Sequence, residues 1–330
     1  MEAHSERNSG IERNSGIEPD GGIEPARLAE EVRALATERD AVILAHNYQL
    51  PEVQDVADYV GDSLGLSRQA AATDASTILF CGVHFMAETA AILSPEKTVL
   101  IPDLKAGCSL ASSIDADQLR RWKSEHPGAV VVSYVNTTAE VKAESDYCCT
   151  SGNARAVIEA IPEDREILFL PDLYLGLWLE KVTGRKLKIW LGECHVHAGI
   201  RPADIERWQA DAPDAELLVH PECGCASQAM AFANDRTHIL STEGMVRFAQ
   251  SSPKKKFVIA TETGIIHRLQ KEVPEKEFLA AREAAVCRFM KMITLEKARD
   301  ALRDMKYVVA VEAETAARAR GAIDRMVAIG

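Results

Sequence analysis

Thiols, imidazoles, phenols and carboxylates recur along this 330-residue chain at spacings that suit one shared site. Its eight cysteines stand at positions 81, 108, 148, 149, 194, 223, 225 and 287. Taken singly, a free cysteine is a small buried hydrophobe. Three of them, however, keep step with a second set of reactive residues. Cys108 follows His46 by 62 residues, Cys194 follows Tyr134 by 60, and Cys287 follows His220 by 67. Three thiolates from distant segments suit a zinc ion or an iron–sulfur cluster. Zinc sites usually show local Cys-x-x-Cys spacing, which these three lack. A four-iron cluster normally takes four cysteines; held by three, it keeps one iron open as a Lewis acid for a carboxylate or hydroxyl. Spacing alone leaves a metal site and three core cysteines both open.

The residues that set this phase close short apolar runs. Leu44-Ala45-His46-Asn47-Tyr48, Val132-Ser133-Tyr134-Val135-Asn136 and Leu218-Val219-His220-Pro221-Glu222 are separated by 88 and 86 residues, counted from His46 to Tyr134 to His220. A second polar turn follows each: Gly61-Asp62-Ser63, Thr150-Ser151-Gly152 and Ser241-Thr242-Glu243-Gly244, with Ser63, Ser151 and Ser241 at offsets of 17, 17 and 21. Strands are predicted at 41–45, 77–80, 98–101, 129–133, 167–170, 187–191, 216–219, 237–240 and 257–260. Helical periodicity fills stretches between them such as 53–66, 173–182 and 245–249. Short apolar strands alternating with helices predict parallel sheets covered on both faces. The expectation is an α/β chain of three similar parallel-sheet α/β/α domains, at 26–112, 113–199 and 200–294, set with pseudo-threefold symmetry around a central cluster site. A C-terminal helix within 295–330 is expected to pack on the first domain. Residues 1–25 repeat Glu-Arg-Asn-Ser-Gly-Ile from Glu6 and Glu12, then run through turn residues, and are expected to form a disordered tail. Ligands of open α/β sheets bind beyond the carboxyl ends of the strands, so three facing units would bring their polar ends and cysteines together.

Composition bounds the function. Apolar residues make up 47%, enough for a real core, and the formal charge is −12 with no basic run beyond Lys254-Lys255-Lys256. That balance argues against nucleic acid as a partner. No apolar run reaches the roughly 20 residues of a membrane span, and no signal segment is evident, so a cytoplasmic protein is expected. Anionic substrates would have to be held by local devices, such as helix N-termini and His, Ser, Thr or Asn side chains, against the global field.

The polar clusters above, with Cys149-Thr150-Ser151-Gly152-Asn153-Ala154, His220-Pro221-Glu222-Cys223, Ser241-Thr242-Glu243-Gly244-Met245 and Ala260-Thr261-Glu262-Thr263-Gly264-Ile265-Ile266-His267, resemble in order the quinolinate synthase family over about residues 30–305. The resemblance implies an enzyme of NAD biosynthesis that condenses iminoaspartate with dihydroxyacetone phosphate to quinolinate, losing phosphate and two waters. It implies an oxygen-sensitive [4Fe–4S] cluster with three cysteine ligands and one open iron, and functional coupling to the iminoaspartate-producing enzyme. By position, the ligands would be Cys108, Cys194 and Cys287. His46, Ser63, Asn136, Ser151, His220, Ser241 and Thr242 match positions that hold substrate carboxylates or phosphate, and Tyr48, Tyr134 and Glu222 match positions of proton transfer.

The remaining features read plainly. Cys223-Gly224-Cys225 is a redox pair or a loop near the site, Cys148 and Cys149 are packing residues, and Cys81 is core. Gly192-Glu193-Cys194-His195-Val196-His197 has the look of a metal motif, with its histidines expected to line the loop. Trp122, Trp178, Trp190 and Trp208 are expected in the core. The competing reading is a non-catalytic iron–sulfur or zinc sensor, which would need a partner surface and would have no use for so many anion-holding side chains.

Overall fold

Among the described residues, twelve short strands form three separate four-stranded sheets, and every strand-to-strand pairing within them is parallel. The computed structural model describes residues 25–226 and 235–329. The first sheet holds β1 (Ala41–His46), β2 (Tyr59–Gly61), β3 (Thr77–Cys81) and β4 (Thr98–Leu100) in the order β2-β1-β3-β4. The second holds β5 (Val130–Tyr134), β6 (Tyr147–Cys149), β7 (Ile167–Leu170) and β8 (Lys188–Ile189) in the order β6-β5-β7-β8. The third holds β9 (Glu216–Val219), β10 (Thr237–Ile239), β11 (Lys256–Ala260) and β12 (Glu277–Ala280) in the order β10-β9-β11-β12. The three orders are the same, so the chain is an α/β fold of three similar domains. Strands β1, β3, β5, β7, β9 and β11 are buried almost throughout, as parallel strands sandwiched between helices must be.

Helices fill the crossovers. In the first unit they are α1 (Pro25–Glu38), α2 (Pro51–Val56), α3 (Ser63–Ala72) and α4 (His84–Leu93), and in the second α5 (Ala116–Glu125), α6 (Ala139–Ala143), α7 (Ala154–Glu159) and α8 (Leu173–Thr183). Then come α9 (Pro202–Asp211), α10 (Thr242–Ser251), α11 (Ile265–Glu272), α12 (Leu295–Asp304) and α13 (Ala313–Ala328). Side-chain caps fix many starts: Asp62, Thr138, Asp172, Ser241 and Thr294 each accept a first-turn backbone N–H, and Asp115 does so within a capping box with Gln118. Gly184, at φ 69°, ends α8 in the left-handed conformation that glycine adopts without strain.

The structure corrects the reading of 53–66 as one helical stretch. It divides into α2, β2 and the start of α3. Val53, Val56, Val60 and Leu64 happen to fall at helical spacing, but Asp58 turns the chain beside β1. Its carboxylate accepts the Ile43 N–H at 2.7 Å, and its own N–H donates to the Ile43 carbonyl at 2.9 Å. Asp146 repeats the device on Val131 ahead of β6. Strands β2, β6 and β12 went unread in the sequence because three or four residues carry too little pattern. The four tryptophans are half-buried rather than core, and Trp190 and Trp208 donate their ring N–H to the carbonyls of Ser113 and Ala281. The expected N-terminal tail lies, up to Glu24, outside the described residues.

The last helix binds the first two units together. Helix α12 packs on α1, while α13 lies against α6 and β6 of the second unit and α3 and α4 of the first. The end of α13 is held from both sides. Asn153 donates to the carbonyls of Met326 and Ile329 at 2.8 and 2.7 Å, and its own Oδ1 accepts the Thr150 N–H at 2.7 Å. From α3, Arg68 reaches the Val327 carbonyl at 2.9 Å. Asn153 is buried, so deleting its amide strands groups that each cost about 1–3 kcal/mol when unsatisfied. Asn153→Ala should therefore lower apparent stability in urea unfolding by about 2 kcal/mol; an unchanged midpoint would show that the tie carries no stability.

Candidate functional site

Each sheet has a switch point between its first and third strands, where the crossovers depart to opposite sides and a crevice opens beyond the carboxyl ends. The central strands β1, β5 and β9 deliver His46 and Tyr48, Tyr134 and Asn136, and His220 and Glu222 to these crevices. The three crevices open into one cleft. His46, Tyr48, Ser63, Cys108, Tyr134, Asn136, Ser151, Cys194, His220, Glu222, Thr242 and Cys287 all line it. Of the residues expected there, Ser241 alone stands off the wall, because its hydroxyl caps α10 by accepting the Gly244 N–H.

Three polar turns converge at one end of the cleft. Ser63 and Thr242 are the first residues of α3 and α10, and Ser151 sits in the turn before α7. The three turns meet at Gly152: a methyl there would stand 3.5 Å from Ser241 Oγ, 3.5 Å from Thr150 Oγ1 and 3.6 Å from Asp62 Oδ2. Helix N-termini present unpaired N–H groups and positive dipole ends, so their convergence suits a phosphate or carboxylate. Neutral donors add to it. His220 Nε2 lies 3.1 Å from Ser151 Oγ, and Asn47 Nδ2 donates to Thr242 Oγ1 at 3.0 Å. Asn136 Oδ1 is buried on the wall with no protein partner. Burial pushes the His46 and His220 imidazoles down to about 3, so both are neutral and donate or accept without charge.

Beside the anion end runs a continuous polar chain. Tyr48 Oη lies 2.6 Å from Thr261 Oγ1, which lies 2.9 Å from His197 Nε2. His197 Nδ1 lies 2.9 Å from Glu222 Oε2, and the Glu222 charge acts in turn on the Tyr134 phenol. Glu222 and His197 are 2% and 3% exposed, so neither charge is relieved by water. Burial opposes ionisation of both, yet mutual attraction wins: the Glu222 carboxyl is held down by His197, and His197 is held up by Cys194 and Glu222. Both phenols are pushed well above their usual range by burial and then by the Glu222 charge, so they keep their protons. Behind this chain Asp172 caps α8. Burial and the Glu222 charge raise its carboxyl well above the usual range, and its Oδ2 has no partner.

The three cysteines border the same cleft from equivalent turns. The N–H four residues on donates back to each cysteine carbonyl: Ser112 to Cys108 at 3.1 Å, Ala198 to Cys194 at 2.8 Å and Lys291 to Cys287 at 3.1 Å. Burial raises the Cys108 and Cys287 thiols, and the neighbouring Cys194 raises them further. Backbone N–H groups of Leu110 and Ala111, and of Phe289 and Met290, point at Cys108 and Cys287 and favour their thiolates. Glu262 anchors the third loop, accepting the Cys287 N–H at 3.0 Å and pairing with Lys291 at 2.9 Å.

Several participants were missed in the sequence. His197 was read as a loop histidine and is central to the polar chain, three residues beyond Cys194. Thr261 and Glu262 follow β11 and lie in a motif quoted above, yet drew no role. His195 is the rim histidine, exposed and 2.7 Å from Ser109 Oγ. Cys223 and Cys225, both buried, are joined as a disulfide behind Glu222, whereas Cys81, Cys148 and Cys149 are buried free thiols.

Residues 30–328 match the family model described as NadA, quinolinate synthetase A protein. A quinolinate synthase of Thermus thermophilus is 56% identical over 303 residues, covering 92% of this chain and 97% of that one. That of Mycobacterium sp. strain KMS is 58% identical over 309 residues, 92% of each. That of Mycobacterium tuberculosis is 54% identical over 311 residues, 92% of this chain and 89% of that one. Identity of this depth over nearly the whole described chain, on a cleft with this donor set, leaves one conclusion: the chain belongs to the quinolinate synthetase A family.

Proposed function

We propose that the cleft condenses iminoaspartate with dihydroxyacetone phosphate to quinolinate, releasing phosphate and two waters, in the cytoplasm and as a step of NAD biosynthesis. The observation that carries this reading is the meeting, in one cleft, of three anion-holding turns, a buried proton-carrying chain and one thiol from each unit. Both substrates are anions, and the protein as a whole is acidic, so binding must come from local donors. Ser63, Ser151 and Thr242 take that role at the turns, with Ser241 fixing the start of α10 and Asn136, His46 and His220 completing the wall.

Cys108, Cys194 and Cys287 would hold a [4Fe–4S] cluster with one iron open. The donor set fits: the thiols influence one another across the cleft, while among the described residues they do not come together within the range of a single ion. When bound, such a cluster supplies a Lewis acid for a substrate carboxylate or hydroxyl. The chain's own groups move the protons. Tyr48 and Tyr134, kept protonated, are donors at the two ends of the polar chain, and Glu222 with His197 accepts and passes protons between them. Tyr48→Phe and Glu222→Gln should each lower turnover by about 10²–10⁴-fold, the usual effect of losing a positioned acid or base. Thr261→Val, which cuts the chain between Tyr48 and His197, should lower it as well. Iron content in all three should equal that of the parent; near-normal turnover in Tyr48→Phe and Glu222→Gln would remove them from proton transfer.

The ligand set has its own test. Cys108→Ser, Cys194→Ser and Cys287→Ser should each lose the cluster and the activity in anaerobically purified protein. Cys81→Ala, Cys148→Ala and Cys149→Ala should keep iron and sulfide near parent level, with a packing cost of about 1 kcal/mol. If one of the first three kept its cluster, that residue would not be a ligand.

A further inference from the structure

Among the described residues, the cysteine of the second unit alone belongs to a group of three metal-ligating side chains. Cys194 Sγ, a ring nitrogen of His197 and a carboxylate oxygen of Glu222 all lie within 4.8 Å of one another, a grouping that could close on one metal ion. Two of the three corners are almost sealed from water, with His197 3% and Glu222 2% exposed. Glu222 Oε1 is buried without any hydrogen-bond partner, although its carboxylate is one of the most enclosed in the chain. An enclosed carboxylate oxygen with nothing to accept from is an incomplete arrangement in a protein interior.

From this geometry we propose that the chain, when its cysteines hold no cluster, binds one zinc ion through Cys194, His197 and Glu222, with a fourth position open toward the cleft. The donor chemistry selects the ion. One thiolate, one imidazole and one carboxylate are the ligand types of zinc, at about 2.3, 2.0–2.1 and 2.0–2.2 Å, and three protein ligands with an open fourth position is a common zinc arrangement. Calcium and magnesium prefer all-oxygen shells. Two anionic ligands and one neutral ligand also balance a dication. Thr261, 2.9 Å from His197 Nε2, and Tyr48, 3.4 Å from it, orient the imidazole from outside, as partners behind metal-bound histidines do.

The consequence is exclusion. One Cys194 thiolate cannot serve both a zinc ion and the cluster, so zinc bound first would block assembly, and an assembled cluster would refuse zinc. This exclusion rests on the ligand set proposed above; the zinc site itself does not.

Full-length chain isolated without its cluster and kept reduced would be titrated with Zn²⁺ against a chromogenic chelator, with Co²⁺ as a spectroscopic probe. One equivalent should bind, and the cobalt form should show a sulfur-to-metal band and the intense visible bands of a tetrahedral site. Cys194→Ser should erase the sulfur band. His197→Gln and Glu222→Ala should weaken zinc by ~100-fold or more, since even removing a partner behind a ligand costs about 10–100-fold. Cys108→Ser and Cys287→Ser should bind zinc as the parent does. One equivalent of zinc added before iron and sulfide should suppress cluster absorbance, and Glu222→Ala should relieve that block. The proposal is overturned if the parent takes up no stoichiometric zinc, or if Cys108→Ser and Cys287→Ser lose it as fully as Cys194→Ser. A Cys194→Ser protein that still assembled its cluster would refute the cluster ligand set while leaving the zinc result to stand.

Discussion

A parallel strand offers a ligand only one of its ends, and the crossover helices cover both faces of the sheet it belongs to. A four-stranded parallel sheet therefore presents a narrow, one-sided edge, too small to surround two substrates. In this chain the limit is met by repetition. Three sheets of the same order turn their carboxyl edges inward, and every group of the cleft follows from that arrangement. The central strands supply His46, Tyr134 and His220, the second turns supply Ser63, Ser151 and Thr242, and the loops after the fourth strands supply Cys108, Cys194 and Cys287. A unit taken alone would expose a polar edge and one thiol. The same geometry explains why the C-terminal helix matters: Asn153 and Arg68 lie just behind two of the three anion turns, and both end on carbonyls of the last turn of α13.

The repeat was legible because it is periodic. Spacings of 88 and 86 residues between strand ends locate three units whatever the accuracy of single elements, and the cysteine phase locates one loop in each. Helices such as α8 and α10 were legible from their apolar spacing. What escaped was either too short or too dependent on partners far along the chain. Strand β2 exists because Asp58 grips β1, a tertiary fact that outweighs the helical spacing of Val53, Val56, Val60 and Leu64. His197 escaped for a related reason. Its significance lies in Glu222 and Thr261, 25 and 64 residues away, and a histidine in a cysteine-bearing loop has no local signature for such partners.

Within the cleft the residues divide by charge state, and burial makes the division. The anion end is lined by neutral imidazoles and hydroxyls, since burial strips His46 and His220 of their protons. The other end concentrates its charge in a single pair, Glu222 and His197, and burial raises Asp172, Tyr48 and Tyr134 well above their usual ranges around it. Placing a buried ion pair there costs desolvation free energy that hydrophobic packing would not, so stability gives no reason for it. The proposed proton chemistry among bound anions does give one. In that proposal, cationic histidines at the anion end would hold a phosphate too firmly, while ionised phenols at the other would have no proton to give.

The third cysteine loop shows how firmly the cleft is tied to its scaffold. Glu262 follows β11 directly and is fully buried, yet it commits both oxygens to the loop that carries Cys287 and the turn beside it: one to the Cys287 N–H and Lys291, the other to the Gly264 N–H. Lys291 donates onward to the Tyr48 carbonyl, so a single lysine joins the third unit's cysteine loop to the first unit's phenol. The position of a thiol and the position of a phenol are thus set by the same salt bridge. The Cys287 loop and the turn that carries Tyr48 are therefore cross-linked at the strand ends and not merely packed side by side.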